Sequence, residues 1–152
     1  MTKINYILPM KMRNILFLIY PGFELLDLSG PVSVFSTANA LQSARHNDTP
    51  YKIQTLSILG GLISSSAGVA VDSEPLVSIE VTQRTTILVV GSDAPALQKV
   101  CLNSALKKWL TQSTTKVERF GSICSGTFIL ATAGLLENRS VATNWAGCEL
   151  FS

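Results

Sequence analysis

The fold class predicted by this sequence is α/β, a parallel sheet covered by helices on both faces, and three observations carry that prediction. Continuous apolar runs at 15–20 and 86–90 read as strands buried on both sides rather than alternating half-exposed ones. Segments with apolar residues at helical spacing lie between them. Glycine-containing turns follow the runs, at Pro21-Gly22, Gly91-Ser92 and Gly121-Ser122-Ile123-Cys124-Ser125-Gly126. In such sheets ligands bind at the carboxyl ends of the strands, so Tyr20-Pro21, Gly91-Ser92 and Cys124 are expected to converge.

Each element can be justified in order. Lys3, Lys11 and Arg13 precede the run 15–20, but the run is shorter than a leader's apolar region and ends at Pro21-Gly22 without a small-residue cleavage pattern. It is also far short of the ~20 residues that span a bilayer. It is therefore read as the first strand, with residues 1–12 as an extension. After the turn Pro21-Gly22-Phe23, a helix is expected from about Ser29-Gly30-Pro31, because proline suits a first helical turn. Val34, Phe35, Ala38 and Leu41 form its expected buried stripe. Residues 51–57 are the second strand. Gly60-Gly61 and Ala67-Gly68 punctuate short segments at 62–65 and 69–71, which read as a hairpin or arm. The run 86–90 is a central strand. Leu102, Ala105, Leu106, Trp109 and Leu110 repeat at helical spacing, and a strand at 117–123 leads through the glycine-rich turn into a helix ending near Gly134.

Composition narrows the function. With 47% hydrophobic and 14% charged residues over 152 positions, the chain suits one well-filled domain and not a disordered segment. A net charge of +2 with scattered lysines gives no electrostatic footprint for nucleic acid. Three cysteines, Cys101, Cys124 and Cys148, and the single His46 lack metal-ligand spacing. No metal and no cofactor is implied, and the cysteine usage suits a reduced, cytoplasmic setting without membrane attachment.

Cys124 is the leading functional candidate. It stands at the apex of a strand-to-helix turn, where glycines allow the sharp fold and the following helix offers unpaired amides and the positive end of its dipole to the sulfur. Cys101 lies on an apolar helix face and Cys148 near the chain end, so Cys124 is expected to be the most reactive thiol. The competing reading is a buried free cysteine acting as a small hydrophobe.

The motifs Pro21-Gly22-Phe23, Leu26-Asp27-Leu28-Ser29-Gly30-Pro31, Val34-Phe35, Ser64-Ser65-Ser66-Ala67-Gly68, Val89-Val90-Gly91, Gly121-Ser122-Ile123-Cys124-Ser125-Gly126 and Ala133-Gly134-Leu135-Leu136 resemble, as an ordered set, the DJ-1/PfpI superfamily. More narrowly, the chain resembles the amino-terminal, class I glutamine amidotransferase-like domain of AraC-type regulators of the GlxA group. The resemblance implies a flavodoxin-like doubly wound sheet. It places Cys124 on the family's elbow cysteine, Asp27 on an acidic position beside that sulfur, and Gly91 with Ser125 where backbone amides form an oxyanion-type pocket. Ser92 and Asn144 complete the expected ligand-binding set. Asp27 also reads as a residue that starts a helix, and Gly91-Ser92 as an ordinary strand-end turn.

One departure from the family pattern carries consequences. Asn144-Trp145 stands where His-Trp is common in the group, and asparagine hydrogen-bonds but takes up no proton. The position after Cys124, histidine in protease-like relatives, is Ser125. Cysteine-protease chemistry is therefore not expected. The resemblance implies a ligand-sensing and dimerising domain with a small-molecule ligand. Its alternatives are an isocyanide hydratase-like enzyme using Cys124 and Asp27, or a redox or carbonyl-stress protein with an oxidisable Cys124. Against the GlxA group, a domain at 13–152 lacking its C-terminal part and any DNA-reading helix-turn-helix is expected. Apolar surface near Trp145, Leu150 and Phe151 would then favour a homodimer or association.

Overall fold

The structure is a computed structural model that describes residues 11–46 and 48–145 of the chain. Six strands form one sheet: β1 (Arg13–Leu18), β2 (Tyr51–Ser57), β3 (Gly61–Ser64), β4 (Ala70–Pro75), β5 (Thr85–Val89) and β6 (Arg119–Ser122), in the order β3-β4-β2-β1-β5-β6. β1 pairs in parallel with β2 and β5, and β5 in parallel with β6. Four helices accompany them: α1 (Leu25–His46), α2 (Ala94–Cys101), α3 (Ser104–Thr114) and α4 (Thr127–Thr132). The expected doubly wound parallel sheet is present, with an antiparallel hairpin at one edge.

The central strand explains the sheet's position. Ile15, Leu16, Phe17, Leu18, Ile19 and Tyr20 are all 2% exposed or less, so both faces of β1 are covered and no polar alternation is needed. The chain leaves β1 toward β2 on one side, while β5 and β6 lie on the other. This makes the β1–β5 boundary the topological switch point, the place where a crevice opens at the strand ends. Phe23, fully buried beyond β1, bridges to Ser65 and Ser92 and ties the hairpin and the end of β5 to that crevice.

Three elements depart from the sequence expectation. Helix α1 begins at Leu25, several residues before Ser29, and carries Pro31 inside it. The side chain of Glu24 accepts from the Leu26 N–H at 3.3 Å and starts the helix early. Its inward face is also rotated: Leu28 is buried and Val32 and Phe35 pack on the core, whereas Val34 and Leu41 are 66% and 55% exposed.

The second departure is α2, a separate helix between the turn Gly91-Ser92 and the helix expected around Leu102. Asp93 caps this helix by accepting from the Ala96 N–H at 3.1 Å, with Pro95 in the first turn. Leu102, expected in the following helix, instead lies between α2 and α3 and is 81% exposed. Asn103 caps α3 by accepting from the Leu106 N–H at 2.8 Å. Third, β6 is shorter than expected and begins at Arg119. The hairpin expectation holds: β3 pairs antiparallel with β4, which then runs parallel to β2 at Leu56–Glu74 and Ser57–Pro75. Of the apolar residues expected on the surface near the chain end, Trp145 is exposed, while Leu150 and Phe151 lie outside the described residues.

Candidate functional site

The carboxyl ends of β1, β5 and β6 meet at one point, and Cys124 stands over it. The Ile123 N–H donates to Val89 O at 2.9 Å, continuing the pairing of β6 with β5 beyond the strands proper. At Cys124 the backbone turns into the left-handed region, φ +54°. A cysteine there is strained on the order of 1–3 kcal/mol, and persists only where its surroundings impose the conformation. Those surroundings are visible: the hydroxyls of Thr127 and Thr143 both donate to the Cys124 carbonyl, at 3.2 and 3.1 Å. Thr127 is buried, and its hydroxyl also lies 2.8 Å from that of Ser122.

Gly126 allows the turn to close on β5. A Cβ at that position would stand 2.3 Å from Val89 O and 2.9 Å from Val90 O, so only glycine lets the start of the helix approach the strand. Gly91 has a similar role farther from the sheet. A Cβ there would come within 2.7 Å of both Asp27 Oδ2 and Ser125 Oγ.

The polar groups around Gly91 are interlocked. Its N–H donates to Asp27 Oδ2 at 3.1 Å. Ser92 N–H donates to Ser125 Oγ at 3.0 Å, and Ser125 Oγ donates back to Ser92 O at 2.8 Å. Tyr20, buried at the end of β1, points its hydroxyl at Val90 O (3.0 Å) and Ser92 Oγ (3.2 Å). Burial raises the Tyr20 pKa well above the usual tyrosine range; the Ser92 hydrogen bond opposes this, and the nearby Cys101, Asp27 and Cys124 add to the rise. Tyr20 is thus a neutral bracket for the β5 turn.

Asp27, in the first turn of α1, has its pKa raised, first by burial. The Gly91 N–H and a hydrogen bond with the Cys124 side chain pull it down, while the charge of Glu24 pushes it up. Loss of hydration therefore outweighs two favourable contacts, and the carboxyl holds its proton more tightly than in water. On the other side of the sulfur, Asn144 Nδ2 lies 3.5 Å from Cys124 Sγ, within reach for donation to sulfur.

Above the sulfur opens a cavity of about 460 Å³, in the size range of small-molecule sites. It is lined by Ser92, Cys124, Ser125 and Asn144 at the strand ends, by Ala94, Leu97, Gln98 and Cys101 of α2, and by Phe128 and Thr132 of α4. Of the residues expected from sequence, Cys124, Ser92, Ser125 and Asn144 line this cavity. Asp27 and Gly91 lie behind it, linked to each other, and the Gly91 N–H expected to face a ligand is engaged by the Asp27 carboxyl. His46 is exposed at the end of α1, and Cys148 lies outside the described residues. The walls supplied by α2 and α4 are not among the sequence-derived candidates. A signal for the α2 wall exists in the spacing Ala94, Leu97, Gln98, Cys101, one face of a helix opened by Asp93 and Pro95.

The family profile for DJ-1/PfpI proteins matches residues 13–149. The chain belongs to the DJ-1/PfpI family. Among relatives, it is 32% identical over 133 residues to an uncharacterised protein encoded in the 5′ region of cpoL in Streptomyces lividans, covering 88% of both chains. It is 30% identical to the HTH-type transcriptional regulator CdhR of Pseudomonas aeruginosa, over 89% of this chain and 38% of that one. With the HTH-type regulator GlxA of Rhizobium meliloti the identity is 29%, over 88% of this chain and 39% of that one. The chain thus spans well under half of either regulator. Among solved structures, a ThiJ/PfpI family protein from Pseudomonas syringae superposes with TM-score 0.72 at 22% identity, over 88% of this chain and 50% of that one. An AraC family transcriptional regulator from Pseudomonas putida gives 0.69 at 16%, over 92% and 71%. These structures carry the fold of the DJ-1/PfpI domain described above. Among the described residues, no group of three or more His, Cys, Asp or Glu could hold a metal ion, and no helix is long and apolar enough to cross a membrane.

Proposed function

We propose that this DJ-1/PfpI domain is a ligand-sensing module of the kind carried by AraC-type transcriptional regulators, binding a small molecule over Cys124 without turning it over. The observation that carries the reading is the partner of the sulfur. Cys124 has the setting of a nucleophile elbow, yet the group across the cavity is the Asn144 amide, which cannot accept a proton. No histidine lines the cavity. A strained, well-fixed cysteine without a base suits recognition better than hydrolysis. The likeness to CdhR and GlxA supports the same class.

The homodimer expected of such a module has a candidate surface on α1. Leu26, Val34 and Leu41 leave apolar side chains open to solvent there, and a second copy in the cytoplasm is the occupant proposed for them. A chain that sediments as a monomer at every concentration would remove that part of the proposal.

A second reading is kept because Asp27 favours it. A carboxyl whose pKa is raised by burial, close to a cysteine, is an acid placed beside a nucleophile, the pair an isocyanide hydratase-like enzyme requires. The two readings separate in one assay series with purified protein. The sensing reading expects neither peptide hydrolysis nor isocyanide hydration, together with ligand-induced thermal stabilisation that Cys124→Ala alters. Isocyanide hydration abolished by both Cys124→Ala and Asp27→Asn would replace it with the enzyme.

A further inference from the structure

The shape of the cavity specifies more than its existence. Helix α2 begins two residues after Ser92, and α4 begins three residues after Cys124. Both helices therefore start at the polar cluster of Ser92, Cys124, Ser125 and Asn144 and run away from it, packed against each other. Cavity-lining residues continue along each helix to its end, Cys101 on α2 and Thr132 on α4. On α2 they fall at i, i+3, i+4 and i+7, one continuous stripe. From Ala94 to Cys101 that stripe advances about 10 Å. The cavity is a slot with a polar head end and a largely apolar body bounded by Leu97, Cys101 and Phe128.

Its charge is equally specific. Among the described residues, no Lys, Arg, His, Asp or Glu lines it, and the nearest acidic group, Asp27, is held behind it by the Gly91 N–H. An anionic ligand would lose its hydration with no lining cation to receive it, and a cationic one would lose its hydration with no lining carboxylate to receive it. The head end instead presents the Cys124 thiol and the Asn144 amide, uncharged groups that match a neutral carbonyl or amide.

We propose that the slot between α2 and α4 takes an uncharged, elongated molecule with a carbonyl or amide head at Cys124 and Asn144 and an unbranched apolar tail along α2, and that Cys101 sets the length accepted. This rests on the ligand-binding reading above and adds the class of ligand and the residue that measures it. It also gives Cys101 a place in the site, where the sequence suggests only a helix face.

The test uses linear primary carboxamides from acetamide to octanamide, with the matching carboxylates and alkylammonium ions, titrated calorimetrically into the full chain. Affinity is expected to rise about fourfold per added methylene and to level off once the tail reaches Cys101. Charged analogues of equal length are expected to bind at least about tenfold more weakly. Cys101→Phe should shorten the plateau, weakening the longest amides and sparing the shortest. Thr132→Phe fills the same end from an exposed position and gives the same readout should the first variant not fold. Binding that ignores tail length, or that favours carboxylates, overturns the inference while leaving a ligand pocket in place. If no member of any series binds, the ligand-binding reading falls and the inference falls with it.

Discussion

The strand ends beneath Cys124 and the helix faces beside it differ in how much of their geometry is backbone. Beneath the sulfur, Gly91 and Gly126 bring main-chain atoms so close that a single Cβ would collide, and Asp27, Ser92 and Ser125 hold that approach with hydrogen bonds of 2.8 to 3.1 Å. Beside it, Leu97, Cys101, Phe128 and Thr132 wall the cavity from two helices. A floor made of closely packed backbone tolerates almost no substitution and can position one atom accurately. A wall made of side chains can be changed residue by residue to suit another ligand. The difference predicts that substitutions below the sulfur act on stability and those beside it on binding.

Gly126→Ala strains the floor most severely. The added methyl would sit 2.3 Å from Val89 O with a second carbonyl at 2.9 Å, and both obstacles are backbone at the end of β5, which cannot rotate aside. A loss of about 3 kcal/mol is expected, read as a fall in the urea midpoint at unchanged slope. Near-native stability would mean that the start of the helix is not pinned to β5. Gly91→Ala should cost less, about 1–2 kcal/mol, because its two nearest obstacles are the side-chain oxygens of Asp27 and Ser125 at 2.7 Å and its one backbone obstacle, Ser125 N, stands at 2.9 Å rather than 2.3 Å. Those can yield, at the expense of the Gly91 to Asp27 hydrogen bond. The ordering of the two variants matters more than either magnitude.

Much of the floor is legible in the sequence because glycine and cysteine at strand ends have few other uses in combination. Gly91, Cys124, Ser125 and Gly126 can be placed from the apolar runs before them, and the sheet follows from the unbroken hydrophobicity of 15–20. The walls are harder to see. Helix α2 has only eight residues, so its periodicity is confined to Ala94, Leu97, Gln98 and Cys101, and its cap Asp93 follows directly on the strand-end turn Gly91-Ser92. The face of α1 is obscured for a related reason. Its apolar residues surround the helix, with Leu26, Val34 and Leu41 outward and Leu28, Val32 and Phe35 inward. A helix apolar on both sides gives no single stripe from which to read its orientation.

Asp27→Asn tests the electrostatics of the floor at smaller cost. The native carboxyl has a raised pKa, so in the window between the ordinary carboxylate range and that raised value the folded state binds more protons than the unfolded one. Stability must then fall as pH rises through the window. Asparagine keeps an acceptor for the Gly91 N–H but removes the titration. The variant should therefore show a flatter dependence of its urea midpoint on pH across that window and gain on the native chain toward the upper end. Parallel curves for the two proteins would show that Asp27 does not hold its proton in the folded state.

The smallest effect on stability, and the most informative about the walls, is expected from Asn144→Ala. Asn144 is exposed, so its removal should change the stability by less than about 0.5 kcal/mol. Its amide is nevertheless within reach of Cys124 Sγ at 3.5 Å, a contact that orients the sulfur in the cavity both residues line. Alkylation of Cys124 at neutral pH should slow in the variant. Cys101, in the same cavity on α2, serves as the internal reference, with peptide mapping to assign each label. If both cysteines slow together, the substitution has altered access to the slot as a whole. If Cys124 alone slows while the fold is unmoved, the amide acts on that sulfur from the wall, and the division between a structural floor and an adjustable wall reaches as far as the reactive atom.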